Sequence, residues 1–177
     1  MDGDREKSIY FITGASGVGK TTLINQLGNK YKSKPWAFFH FDSIGVPSLL
    51  EMTNAFGSPN RWQEVKTHAW ITRILHEPWK EKIFLEGQVN LEFIRAGFAK
   101  QGFEEYTIIL LDCSEEEMRK RLTYHRMQPE LFTADMRNWL KFLRKQAEEL
   151  GTLRIDTSHL TKEEVIKTFE EKLHLYG

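Results

Sequence analysis

Five short apolar runs punctuate the chain, at residues 8–13, 36–41, 82–86, 106–111 and, more weakly, 153–156. The first, Ser8-Ile9-Tyr10-Phe11-Ile12-Thr13, is apolar, β-branched and aromatic, which reads as a buried strand. Between the runs the spacing turns helical. Leu23, Ile24 and Leu27 recur at helical intervals, with Gly28-Asn29 as the expected stop. Residues 62–76 put Trp62, Val65, Ala69, Thr72 and Leu75 on one stripe. Two capping boxes mark further helix starts: Ser114-Glu115-Glu116-Glu117 before Met118 and Leu122, and Thr161-Lys162-Glu163-Glu164 before Val165, Ile166, Phe169 and Leu173. Strand–helix alternation with near-continuous apolar strands predicts an α/β fold, a five-stranded parallel sheet with helices on both faces. Two stretches carry little regular pattern: residues 42–60, with Gly45, Pro47, Gly57 and Pro59, and residues 125–135 around Pro129. Long irregular segments in a compact domain are usually lids or binding loops.

The turn after the first strand carries the chemistry. Gly14-Ala15-Ser16-Gly17-Val18-Gly19-Lys20-Thr21 matches GxxxxGK[ST] at every position, with a strand before it and a helix after it. Glycines let successive N–H groups turn inward onto phosphate oxygens. Lys20 brings a positive charge to the β- and γ-phosphates, and the Thr21 hydroxyl is placed to coordinate Mg²⁺. The phosphates would rest on the positive end of a helix. The order of elements therefore predicts nucleoside triphosphate binding.

Composition narrows the setting. The 177 residues fit one domain, and Lys plus Arg equals Asp plus Glu at 25 each. A zero net charge argues against non-specific nucleic-acid binding, which needs a strong basic field. The lone Cys113 cannot form an internal disulfide and reads as a small buried residue. Residues 1–7 lack the layout of a signal peptide, and no apolar run approaches membrane length, so a cytoplasmic setting without a membrane partner is expected.

Four patches together make the chain resemble the P-loop small-molecule kinases: adenylate, shikimate and gluconate kinases, antibiotic phosphotransferases and polynucleotide kinases. They are residues 14–22, which add Thr22 to the loop; Phe41-Asp42; the run Arg119-Lys120-Arg121-Leu122-Thr123-Tyr124-His125-Arg126; and the tail Ile155-Asp156-Thr157-Ser158-His159-Leu160-Thr161. The resemblance implies a three-layer P-loop fold over residues 1–177, an acceptor region at about 43–76 and a short lid at about 125–138. It also implies ATP and Mg²⁺ as cofactors and a small-molecule acceptor.

Asp42 ends an apolar strand, at the sheet edge where ligands of such folds bind, and an alcohol acceptor needs a group to take its proton. In the resembled families an Asp at this position does so. Glu86 ends the third strand near the expected Mg²⁺, where an Asp is commoner, and could hold a metal-bound water or, with Gln88, the acceptor. Gly87 would let backbone approach a ligand. The resemblance places Arg121 and Arg126 near the start of the lid, Arg121 for the base and Arg126 for the transferring charge, with Arg137 and Arg95 as weaker options. The tail resembles the segment that closes over adenine. No cysteine falls in the lid, so it is not the zinc-bearing type.

On the acceptor side, Arg61, Trp62, Gln63, His68 and Trp70 are candidates, with Trp62 expected in the core and Trp70 more open. Asp42-Ser43-Ile44-Gly45 matches DxxG, but it comes 22 positions after Lys20 and no NKxD-like segment reads guanine, so a GTPase is disfavoured. Two alternatives remain beside small-molecule phosphoryl transfer. One is a nucleotide-binding ATPase or switch acting on a protein partner, which predicts an exposed apolar patch. The other is a polynucleotide 5′-hydroxyl kinase, which predicts a positive groove beside Asp42.

Overall fold

The strands are β1 (Ser8–Thr13), β2 (Trp36–His40), β3 (Lys82–Gly87), β4 (Tyr106–Asp112) and β5 (Leu153–Asp156), all parallel, in the order β2-β3-β1-β4-β5. The computed structural model describes residues 7–78 and 80–176, and the expectation for the charged start at residues 1–6 lies outside them. The helices are α1 (Lys20–Lys30), α2 (Leu49–Phe56), α3 (Pro59–Leu75), α4 (Leu91–Gln101), α5 (Glu115–Lys120), α6 (Ala134–Glu149) and α7 (Lys162–Lys172). None of these is long and apolar enough to cross a membrane.

Strand pleating sends alternate side chains to opposite layers. Ile9 and Phe11 pack with Ile71, Ile94, Phe98 and Leu143 from α3, α4 and α6. Tyr10 and Ile12 pack with Leu23, Leu27, Met118 and Phe169 from α1, α5 and α7. Burying each such side chain contributes roughly 1.5–3 kcal/mol. Both faces are covered, which is why the strands read as continuous apolar runs.

β1 and β5 fall where the pattern places them, while the other three differ by one residue at the carboxyl end. β2 stops at His40, and Phe41–Ile44 forms a tight 3₁₀ turn instead. Gly28 does not stop α1. It lies inside the helix against Phe38, where a Cβ would make an ordinary contact at 3.6 Å. The stretch expected to be irregular contains α2, opened by a full capping box between Ser48 and Glu51 and closed at Gly57, where φ is 85°. α3 then starts at Pro59 on a Ser58 cap, three residues before the predicted stripe.

The buried face of α3 is also rotated from that stripe. Trp62, Thr67, Trp70, Ile71 and Ile74 face in, and Ala69 is exposed. The Trp70 indole N–H, which donates to Phe41 O at 3.1 Å, helps to fix that phase. Thr161 and Glu164 form their capping box in full, but the Ser114 box is only half made. The Ser114 N–H donates to Ser158 Oγ at 2.8 Å, and Glu117 is engaged by Arg121.

β4 ends on fully buried Asp112. Its carboxylate accepts from Arg144 Nε at 2.7 Å, from an Arg154 guanidinium nitrogen at 2.5 Å and from Cys113 N at 2.8 Å.

Candidate active site

The glycine loop is anchored at its root. Thr13 Oγ1 donates to Val89 O at 2.6 Å and accepts from Val89 N at 3.1 Å, tying β1 to the loop after β3. A Cβ on Gly14 would lie 2.4 Å from Leu111 O, so backbone packing alone demands glycine there. Gly17 and Gly19 sit at φ 84° and 104°, in the region that favours glycine. Ala15 and Val18 are buried in the core, and Ser16 Oγ donates to Gln88 Oε1 at 3.0 Å.

α1 opens at Lys20 on Gly19 with no side-chain cap. Among the described residues, the other six α-helices each begin on a capping side chain: Ser48, Ser58, Asn90, Ser114, Thr133 or Thr161. The first N–H groups of α1 are thus left for an external acceptor, at the positive end of the helix dipole.

Lys20 is 8% exposed, and its Nζ donates to Ala15 O at 2.9 Å. Burial lowers its pKa to about 8; Glu86 and Asp42 oppose that shift, and Arg126 adds to it. One ammonium therefore feels charges from three separate segments. Asp42 reaches solvent from the 3₁₀ turn, one residue further from β2 than expected. Partial desolvation, and then Glu86, hold its carboxyl above the ordinary value, while Lys20 and His40 pull it down.

Glu86 is buried near the end of β3. It accepts from Thr21 Oγ1 at 3.2 Å and from His40 Nδ1 at 2.7 Å. The second ring nitrogen of His40 lies 3.1 Å from Asn25 Oδ1. Sequence reading missed His40, because only the parallel register that pairs it with Glu86 brings the two together. Among the described residues no group of three or more His, Cys, Asp or Glu could cage a metal. A hydroxyl and a carboxylate side by side at the uncapped helix do fit Mg²⁺, a hard cation that keeps water and phosphate as most of its ligands.

Beside the loop lies a cavity of about 610 Å³, lined by Gly17, Lys20, Thr22, Arg121, Arg126 and Thr157 among others. Arg121 is a fastener. Its Nε donates to Glu117 at 2.9 Å, and its terminal nitrogens donate to Val18 O at 3.3 Å, Thr157 Oγ1 at 2.9 Å and Thr157 O at 2.7 Å. Arg126 is exposed at the cavity edge, so the two arginines do different work.

α5 widens into a π turn over Arg121–His125, with Arg126 N donating to Arg121 O at 2.9 Å. Such turns recur at functional sites. Met127 follows at φ 54°, and the segment expected to be the lid holds a short 3₁₀ turn, Pro129–Leu131, before α6 begins. Arg137 lies over the Phe132 ring at 5.5 Å, in a packing role.

Several acceptor-side candidates turn out to be scaffold. Trp70 is 2% exposed rather than open, and Trp62 is buried as expected. Gln63 donates to Gln88 O at 3.2 Å and accepts from Asn90 N at 2.9 Å, so both ends of its amide brace the loop after β3. His68 packs where a Cβ on Gly97 of α4 would come within 3.0 Å. Gly87 serves packing, since a Cβ there would stand 2.6 Å from Phe41 Cβ. Arg61 pairs with Glu64 at 2.6 Å. Arg95 pairs with Glu92 at 3.6 Å and lines a groove with Tyr106, at the opposite end of the sheet from the site. Cys113 is fully buried, which raises its thiol pKa to about 11.

Parallel sheet, uncapped glycine loop and lid define the fold shared by the P-loop kinases. A shikimate kinase from Acinetobacter baumannii in complex with shikimate superposes with a TM-score of 0.63 at 13% identity, over 96% of this chain and 94% of that one. A gluconokinase from Sinorhizobium meliloti gives 0.62 at 18%, covering 96% of each chain. The Deinococcus radiodurans tunicamycin resistance protein gives 0.63 at 18%, over 95% of this chain and 96% of that one. No protein-family model matches the chain, and no curated protein sequence matches it. At such identities the likeness establishes the fold alone.

Proposed function

We propose that this chain is an ATP-dependent phosphotransferase moving the γ-phosphoryl group of Mg·ATP to a hydroxyl or phosphate of a small-molecule acceptor. The observation that carries the reading is the convergence of Asp42, Glu86 and Arg126 on the Lys20 ammonium beside an uncapped helix. Loop N–H groups and the first turn of α1 hold the phosphates, and Lys20 neutralises charge on the transferring group. Thr21 and Glu86 would hold Mg²⁺, with His40 orienting the Glu86 carboxylate. When bound, Mg²⁺ offsets charge on the β- and γ-oxygens.

Asp42 takes the proton of the acceptor hydroxyl as that oxygen bonds to the γ-phosphorus. The bond from phosphorus to the bridging oxygen breaks, and its electron pair leaves with ADP. Arg126 faces the charge that develops, and the lid keeps out the water that would otherwise consume ATP. Arg121 offers its plane to the base, inside the cavity bordered by the tail. A shikimate kinase and a gluconokinase among the structural neighbours support a small-molecule acceptor. A cytoplasmic location belongs to the same reading, with the free thiol of Cys113 in support.

A second reading, an ATPase or switch with a protein partner, draws on the exposure of Leu49 and Leu50, at 70% and 69%. Product analysis separates the two. Asp42→Asn is expected to lower acceptor phosphorylation by about 10²–10⁴-fold while nucleotide affinity stays within about twofold of the parent. Lys20→Ala is expected to remove both with the fold intact by circular dichroism. Undiminished turnover in Asp42→Asn would remove Asp42 from the mechanism.

A further inference from the structure

From residue 42 to residue 60 the chain carries no lysine or arginine, and its two charges, Asp42 and Glu51, are both negative. Immediately after Asp42, four large apolar side chains stand in solvent: Ile44 at 43%, Val46 at 55%, Leu49 at 70% and Leu50 at 69% exposed. The fold does not need the leucine pair. α2 is anchored through Met52, 6% exposed, and its start is fixed by the capping box of Ser48 and Glu51. The pair opens the helix facing outward.

The lid carries a counterpart. Arg126, which lowers the Lys20 pKa where Asp42 raises it, is flanked by Tyr124 at 67% and Met127 at 77% exposure. The two segments that approach the Lys20 ammonium from the acceptor lobe and from the lid therefore both present bare apolar surface. Four exposed apolar side chains within seven residues, directly after the candidate base, mark a binding site rather than ordinary surface.

Cations near the acceptor lobe have other partners. Arg61 is paired with Glu64 at 2.6 Å, and Arg73 lies over the Trp70 and Phe39 rings at 4.8 and 5.6 Å. Residues 44–60 offer no cation to a carboxylate or phosphate on the acceptor, or to a nucleic-acid backbone, and on the reading above Lys20 and Arg126 are engaged by the phosphates of ATP. A protein partner seated on Ile44 and Val46 would cover the entrance to Asp42. A small amphipathic molecule uses the apolar surface and the carboxylate together.

Resting on the phosphotransferase reading above, we infer that the acceptor is a neutral or cationic amphipathic alcohol. Its hydroxyl is offered to Asp42, and its apolar body lies on Ile44, Val46, Leu49 and Leu50. The full chain with Mg·ATP is tested on matched probes: glucose against octyl β-glucoside, and ethanolamine against 2-aminodecan-1-ol. Shikimate, gluconate and thymidine monophosphate serve as anionic probes. ADP release is read alongside the mass of any phosphorylated probe.

The alkylated member of a pair is expected to exceed its bare headgroup by about tenfold or more in kcat/KM, with the anions used least. Leu49→Ser/Leu50→Ser should erase most of that advantage through KM, with melting temperature and ATP affinity unchanged. Equal use of both members of each pair overturns the inference. Preference for the anionic probes also overturns it and leaves the phosphotransferase reading standing. Lys20-dependent hydrolysis that yields no phosphorylated probe of any class overturns both. Self-association or partner binding that the leucine variant abolishes while acceptor kinetics stay the same overturns the inference alone.

Discussion

Lys20 gives the site its pH dependence. Its pKa, lowered to about 8 by burial, means that the free loop loses this charge as pH rises through about 8. A bound polyphosphate favours the charged form and lifts the pKa again, so nucleotide binding takes up a proton. Below about pH 8 both states are protonated and affinity is flat. Above it only the free state has lost its proton, so affinity falls, by at most roughly tenfold per pH unit. Calorimetry in two buffers of different ionisation heat should detect the uptake near pH 8–9 and none near pH 6.5. Asp42 acts in the other direction, since its raised pKa moves the acid limb of kcat above the ordinary aspartate value.

His40 yields a separate prediction. Without its 2.7 Å bond the Glu86 carboxylate is free to turn. His40→Ala should therefore raise the Mg²⁺ concentration needed for half-maximal activity by about 10–100-fold, and His40→Gln should recover part of the loss. The loop residues, Asp42 and Glu86 are legible from composition and position alone. His40 is not, because strand register is a tertiary fact.

Elements were legible where one local rule governs them. β1 keeps its predicted bounds because a buried parallel strand is apolar throughout, whereas β5, an edge strand with Ile155 alone buried, gives only a weak pattern over the same bounds. α2 escaped notice although its S-x-x-E box is written in the sequence, since Gly45, Pro47, Gly57 and Pro59 surround it with turn signals. α3 carries apolar residues on more than one side, and a buried hydrogen bond to Phe41 O helped choose among them.

The glycines divide in the same way. Gly14 is needed by its loop, but Gly87 is needed by Phe41, whose Cβ would be met at 2.6 Å, and no sequence motif announces that. Gly87→Ala should destabilise by about 1–3 kcal/mol in denaturant titration, as overpacking does. Gly97→Ala meets the terminal methyl of Ile71 at 2.4 Å, the end of a side chain rather than its root, and should be milder. Equal losses would mean that the clash at Gly87 relaxes easily.

At the scale of the whole molecule, the carboxyl edge of the sheet collects everything the site uses, and Asp112 holds the far half of that edge together. Its buried carboxylate joins β4, β5 and α6 through Arg154 and Arg144. Asp112→Asn removes the charge those guanidiniums were desolvated to meet, and should cost about 3 kcal/mol. For a chain of this length that is a fall in Tm of roughly 6–12 °C, measurable by calorimetry. The division into acceptor lobe and lid is what the kinase resemblance implies. The bare leucine pair could not be anticipated from the sequence, because only burial separates Met52, which faces in, from Leu49 and Leu50, which do not.

The bare start of α1 has one further meaning. Six helices finish themselves with a serine, threonine or asparagine supplied by their own sequence. The seventh is left unfinished, and the missing part is one that a phosphate can supply. On the phosphotransferase reading the ligand would be a piece of secondary structure on loan, and the helix behind the loop would be complete only while the nucleotide is held.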